Sequence, residues 1–236
     1  MGQKKLVRFA ELKTFEQVLQ FPENMAGNWH NHFQNDRPIT LELACGKGEY
    51  AVGLARLHPQ RNFIGVDIKG NRLWVGAGIA RRDALTNVAF LRTQIDRIAE
   101  YFSPGEVEEI WITFPDPQLR WSKLKKRLTH PKFLRLYQQF LKPGGCVHLK
   151  TDSPDLYQFT KEVIGLYKLE VLQDTDDLYA QPDRSSELNI KTHYESLDIA
   201  GSNRIHHLCF RLTEGLQNQA QDLLLKEKCR PDAVAD

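Results

Sequence analysis

Residues 39 to 48 read Ile-Thr-Leu-Glu-Leu-Ala-Cys-Gly-Lys-Gly, an apolar strand that runs into a tight turn and then a helix. Ile39, Leu41 and Leu43 supply the strand's apolar positions. Gly46 and Gly48 carry no Cβ, so the backbone there can turn sharply and approach a ligand closely. The segment from Glu49 to Leu57 has a helical pattern, so the turn delivers a helix N-terminus to whatever lies above the strand. A second apolar strand, Phe63 to Val66, ends in Asp67, about twenty residues further on, the spacing at which a doubly wound sheet places an acid for a ribose.

The rest of the chain obeys the constraint this unit sets. Strands are expected at 39–44, 62–67, 87–92, 107–114 and 145–151, with helices at 48–57, 70–84, 94–102, 131–141 and 153–167. Such alternation means parallel strands with helices on both faces. Two further strands, 169–173 and 204–212, have no long helix between them, so the last is expected to be antiparallel. The prediction is one α/β domain over residues 1–236 with a Rossmann-like, seven-stranded, mostly parallel sheet, the usual sheet of methyltransferases. Residues 1–10 read as a flexible basic arm, 11–20 as a short helix, and 216–236 as a loosely held tail containing a Leu-rich helix.

The ligand of this unit can be narrowed from its residues. In Gly46-x-Gly48-x-x-Ala51 the last glycine of the dinucleotide fingerprint is missing. Glu42 and Asp67 around a short glycine turn suit S-adenosylmethionine better than NAD, because that ligand carries an ammonium and no pyrophosphate. An oxidoreductase reading also lacks a catalytic His or Lys at the crevice; His148 lies on a central strand and reads as core.

Composition narrows the classes further. Hydrophobic content of 41% and charged content of 26% are ordinary for a soluble protein, and no apolar run approaches the roughly 18 residues of a membrane span. The N-terminus lacks a signal-peptide core and fails the myristoylation pattern at Leu6. Cys45, Cys146, Cys209 and Cys229 are far apart with no metal-like spacing, which suits a reduced cytoplasmic protein. The net charge of +2 hides an asymmetry. Between Asp116 and Asp152 there is no acid but there are nine bases: Arg120, Lys123, Lys125, Lys126, Arg127, Lys132, Arg135, Lys142 and Lys150. A basic run is more often a solvated face than a site, but this one adjoins the crevice and points to a polyanionic partner.

The crevice is expected where strands 39–44 and 107–114 flank the reversal of strand order. The second of these ends in Phe114-Pro115-Asp116-Pro117, and the two prolines stiffen the backbone around Asp116. An aspartate in a turn is common, but this one sits beside the basic block. Trp121 suits base stacking and packing equally. Residues 175–201 form a long loop, and loops of this length are often functional.

Several motifs together resemble the bacterial tRNA (guanine-N7)-methyltransferases, over roughly residues 25 to 212. They are Glu42-Leu-Ala-Cys-Gly-Lys-Gly, Phe63-Ile-Gly-Val-Asp67-Ile-Lys-Gly, Phe114-Pro-Asp-Pro with the basic run ending Lys125-Lys-Arg127-Leu, His148-Leu-Lys-Thr-Asp152 and Thr192-His-Tyr-Glu195. The first two are generic to S-adenosylmethionine enzymes; the other three are specific to the family. The resemblance implies a cofactor site of Glu42, Gly46, Gly48, Asp67, Gln94 and Asp116 and a tRNA-facing set of Arg120, Asp152, Thr192 and Glu195, to which the basic block adds Lys123, Lys125, Lys126 and Arg127. With a guanine in the variable loop of tRNA as the implied target, Asp116, and after it Asp152, are the candidate acids at the reacting base, and the 175–201 loop is expected to order when RNA binds. The family usually has Asp where this chain has Gln94, lysine where it has Arg120, and many such enzymes have glycine where it has Ala44, a replacement expected to be minor. Two other readings are a methyltransferase of small metabolites, which has no use for the basic block, and a non-catalytic RNA-binding protein with a vestigial cofactor site. The residues do not distinguish monomer from homodimer.

Overall fold

The computed structural model describes residues 2–193, 195–197, 201, 204–213 and 216–230. Among the described residues, eight strands form one sheet in the order β1-β4-β3-β2-β5-β6-β8-β7. The parallel part comprises β1 (Val18–Gln20), β2 (Ile39–Leu43), β3 (Asn62–Asp67), β4 (Val88–Arg92), β5 (Val107–Thr113) and β6 (Leu141–Thr151). At the other edge β8 (His206–Arg211) runs antiparallel to both β6 and β7 (Glu170–Thr175), as the missing helix between them requires.

The eighth strand is β1, within residues expected to be helical. Phe90 N–H donates to Gln17 O at 2.7 Å and Phe21 N–H to Arg92 O at 3.1 Å, so this short segment caps the edge that β4 would otherwise expose. The N-terminal stretch expected as a flexible arm is instead helix α1 (Gly2–Leu12), seated on α4 (Gly70–Arg82). Its contacts explain the difference. Arg8 lies 4.6 Å over Trp74, whose indole donates to Glu11 at 2.7 Å, and a Cβ on Gly70 would come within 2.7 Å of Phe9. Single-helix periodicity does not reveal a partner this far along the chain.

Two cores sandwich the sheet. One face carries Leu41, Leu43, Ile110, Ile112, Val147 and Leu149, packed under α5 (Pro131–Gln138) and α6 (Pro154–Tyr167). The other face is mixed. Glu42, Glu109, Trp111, Thr113, His148 and Lys150 alternate with the first set along the same strands, beneath α3 (Glu49–Leu57) and the loop after β7. The expected helix at 94–102 is a 3-10 segment, Ile95–Tyr101, whose Tyr101 carbonyl accepts at 2.8 Å from the buried indole of Trp29 in the short helix α2 (Trp29–Phe33). The C-terminal helix α7 (Gln219–Lys228) is not loose: Arg135 reaches Asp222 at 2.8 Å and Leu225 is buried. Residues 231–236 of the expected tail lie outside the described residues.

Candidate active site

The chain leaves β2 for β3 on one side and returns through β5 on the other, so the C-terminal ends of β2 and β5 border the point where strand order reverses. A cavity of about 720 Å³ opens there, lined by Glu42, Asp67, Thr113, Asp116, Asp152 and Thr192 among others. A second, of about 370 Å³, shares Ala44 and Asp67 with it and contains Gln94, Lys125 and Lys126. These two cavities bring together Glu42, Asp67, Gln94 and Asp116 of the expected cofactor residues and Lys125, Lys126, Asp152 and Thr192 of the expected substrate residues.

The turn after β2 is built from left-handed residues. Ala44, Gly46 and Gly48 have φ of 56°, 57° and 68°. A Cβ on Gly48 would lie 2.3 Å from the Phe90 ring, so glycine is required there on both counts. Ala44 is not the minor replacement expected: in this region an L-residue costs roughly 1–2 kcal/mol more than glycine. Asp67 holds the turn from β3, accepting from Gly46 N–H at 3.0 Å and from Lys69 N–H at 2.8 Å. Both oxygens keep a lone pair for a further donor.

Glu42 lies at the base of the cleft, 2% exposed. One oxygen accepts from Ala51 N–H at 2.8 Å and the other from the Thr113 hydroxyl at 2.7 Å. Burial pushes its pKa up to about 8, against the opposing pull of these two hydrogen bonds. Thr113 was not singled out in the sequence. The signal was there in the alternation of Glu109, Trp111 and Thr113 on one face of β5. Glu49 was missed as well: it accepts from His193 N–H at 2.8 Å and ties the start of α3 to the wall that carries Thr192.

Beyond β5 the backbone is strained, with Phe114 at φ 47° and Gln118 at φ 49°. Asp116 is exposed and accepts from Gln118 N–H at 3.0 Å, which fixes the loop on itself. Arg120, Lys123, Lys125 and Lys126 are exposed on and beside the 3-10 turn Trp121–Lys126, anchored by buried Leu124, and form no ion pair among the described residues. Trp121 is 37% exposed with Lys226 above its ring at 5.6 Å.

Two expected RNA-facing residues point elsewhere. Arg127 is buried, with its guanidinium 4.6 Å over Phe159 and Nε donating to Gln118 O at 3.4 Å, so it braces the loop from below. Glu195 turns inward to Lys150 at 3.1 Å and accepts from the Tyr179 hydroxyl. Lys150 itself is fully buried and also donates to Leu188 O at 3.1 Å and Ile190 O at 2.9 Å. All three ammonium protons are satisfied, although burial draws its pKa down, with Glu195 opposing. The loop expected to order on RNA binding therefore already has internal supports, including the Tyr50 hydroxyl to Glu187 O at 2.8 Å. Of the nine bases, Lys132, Arg135 and Lys142 are taken up by Asp96, Asp222 and Glu108.

Comparison with known proteins agrees with this geometry. Residues 36–208 match the family model described as "Putative methyltransferase". A tRNA (guanine-N(7)-)-methyltransferase of Bacteroides thetaiotaomicron is 45% identical over 91% of this chain and 88% of its own length. One of Porphyromonas gingivalis is 47% identical over 86% and 87%. Among solved structures, the 16S rRNA methyltransferase KamB superposes with a TM-score of 0.61 at 15% identity, over 81% of this chain and 95% of that one, a likeness of fold alone. The chain therefore belongs to the tRNA (guanine-N(7)-)-methyltransferase family, as an enzyme that uses S-adenosylmethionine.

Proposed function

We propose that the cleft methylates N7 of a guanosine in the variable loop of tRNA, by direct in-line attack and without a general base. S-adenosylmethionine, when bound, supplies a methyl group on a cationic sulfur. Residues suited to hold it are Glu42, the 44–48 turn and Asp67, with Gln94 in the adjoining lobe. The fit lies in the donor set: buried and half-buried carboxylates around a glycine turn too tight for a Cβ at Gly48, matched to a ligand with an ammonium, a sulfonium and ribose hydroxyls.

Guanine N7 has a free lone pair and no proton to lose. The chain's own contribution is therefore alignment, which supplies roughly 7–11 kcal/mol in favourable cases, and negative charge near a purine that becomes cationic. Asp116 fills the second role, with Asp152 across the same cavity. A carboxylate there also accepts from guanine N1–H and the exocyclic amine, which selects against adenine. Arg120, Lys123, Lys125 and Lys126 take the phosphates and set register on the RNA. Arg127 and Glu195 support this surface without touching RNA.

The observation that carries this reading is the meeting of Glu42, Asp67, Asp116 and Asp152 on one cavity, with unpaired exposed cations on the adjoining turn. A small-metabolite enzyme has no use for those cations. A tRNA substrate places the protein in the cytoplasm. Incubation with S-adenosylmethionine and unmodified tRNA, followed by nuclease mapping and mass spectrometry, should give 7-methylguanosine in the variable loop. Methylation at another atom or loop, or none, overturns the proposal.

A further inference from the structure

Away from the cleft, the mixed sheet face brings Cys146, His148 and Cys209 together, with Glu109 beside the imidazole. Cys146 and His148 are two residues apart on β6 and so share a face. Cys209 is the register partner of His148 across antiparallel β8, and Glu109 is the partner of Cys146 across parallel β5. His148 Nε2 lies 3.3 Å from Cys146 Sγ, 3.6 Å from Cys209 Sγ and 2.9 Å from Glu109 Oε1. The two sulfurs and this nitrogen all fall within 4.8 Å of one another.

The sulfur–nitrogen separations are close to those of ligands around one tetrahedral ion. Zinc bond lengths of about 2.3 Å to sulfur and about 2.1 Å to nitrogen place ligand atoms about 3.6 Å apart for S···N. We propose that Cys146, His148 and Cys209 bind zinc, with the fourth position open to water or to the adjacent Glu109. Two thiolates and an imidazole favour zinc over magnesium or calcium, which prefer oxygen shells.

The surroundings support the assignment independently. The His148 ring is stacked on Trp111 at 3.9 Å and 7°, which fixes its plane. Its other nitrogen lies 3.2 Å from His207 Nε2, the kind of outer partner that sets the tautomer of a ligating imidazole. Glu109 Oε2 is taken by Thr40 at 3.2 Å and Arg61 at 3.4 Å, while Oε1 faces His148. A cavity of about 350 Å³, lined by Glu109, Trp111, His148 and His207, provides an entry path. Glu109 precedes Thr113 by four residues on β5, about 13 Å of strand, so the site is separate from the cleft. Its role is structural: it ties the antiparallel edge hairpin to the parallel sheet through β6 and β8.

The test is metal content of the full chain, purified without a metal-chelating tag, exposed to zinc and then gel-filtered. The expected result is about one zinc per chain in the parent. Cobalt(II) should give tetrahedral visible bands and thiolate charge transfer. Zinc should raise the melting temperature. The double variant Cys146→Ser, Cys209→Ser should lose both signals, and Cys229→Ser, outside the cluster, should keep them. The cobalt spectrum is read on the parent itself, so it does not depend on the double variant folding. A parent that retains no zinc and shows no thiolate–cobalt band overturns the proposal. So does equal uptake by a folded double variant, or a native Cys146–Cys209 disulfide found by mass spectrometry in metal-free protein.

Discussion

Replacing Glu42 with glutamine tests the electrostatics of the cleft most directly. The amide keeps the shape, accepts from Ala51 N–H and bonds the Thr113 hydroxyl, but cannot ionise. In the parent, burial raises the carboxyl from 4.5 to about 8. Each tenfold change in proton affinity is worth about 1.4 kcal/mol, so ionising Glu42 inside the fold costs on the order of 5 kcal/mol. The sign follows from proton counting. Below the unfolded value both states hold the proton and Glu42 contributes nothing to the pH dependence. Between 4.5 and about 8 the unfolded chain releases its proton while the fold keeps it, so parent stability falls as pH rises. Above about 8 the loss is complete. Urea unfolding of parent and variant from about pH 5 to about pH 9 should therefore show their difference moving by several kcal/mol in favour of the variant. Taking the difference removes the opposite contributions of His130 and His207, whose pKa values burial pulls down to about 4 and about 3. Parallel curves would refute the reasoning. A cationic ligand beside Glu42 favours the ionised form, so binding S-adenosylmethionine near pH 7 should release a proton. Calorimetry in buffers of different ionisation heat should detect that release in the parent and lose it in the variant.

Asp116→Ala should cut methyl transfer by roughly 10²-fold or more with little change in S-adenosylmethionine affinity, and single-turnover kinetics beside calorimetry separate the two. Replacing Lys123, Lys125 and Lys126 together with glutamine should weaken tRNA binding and lower the slope of log affinity against log salt by roughly 2 to 3, measured by filter binding. An unchanged slope would remove these lysines from the interface. Lys150→Met should destabilise the fold by roughly 3–5 kcal/mol, because it strands Glu195 and two buried carbonyls. It should also open the loop after β7 to limited proteolysis, and a protease pattern like the parent's would argue against the lysine as its support.

The alternation of apolar strands and amphipathic helices was legible because each element's period is local. The cleft was legible for the same reason: Gly46, Gly48, Asp67 and Asp116 sit at strand ends whose positions follow from that alternation. What was not legible depended on pairing across the sheet. Arg127 and Glu195 carry charges in a basic block and a polar loop, and nothing near them in the chain announces Phe159 or Lys150 as partners. Lys150 read as one more surface base, although it follows the alternation of Cys146 and His148 on the mixed face. Ala44 and β1 were misjudged because the left-handed backbone and the free edge of β4 are properties of the assembled turn and sheet.

The unequal faces of the sheet also bear on how the fold is reached. On β2, β5 and β6 the residues of the apolar core alternate one for one with Glu42, Glu109, Thr113, His148 and Lys150. A strand that docked one residue out of step would drive carboxyl and ammonium groups into the oily side and turn leucines toward the loop. Ordinary sheets resist such slippage through the loss of a few packed methyl groups. Here the misaligned state would also strand charges without solvent or counterions, so the polar side chains beneath the cleft and its loop double as a check on correct assembly.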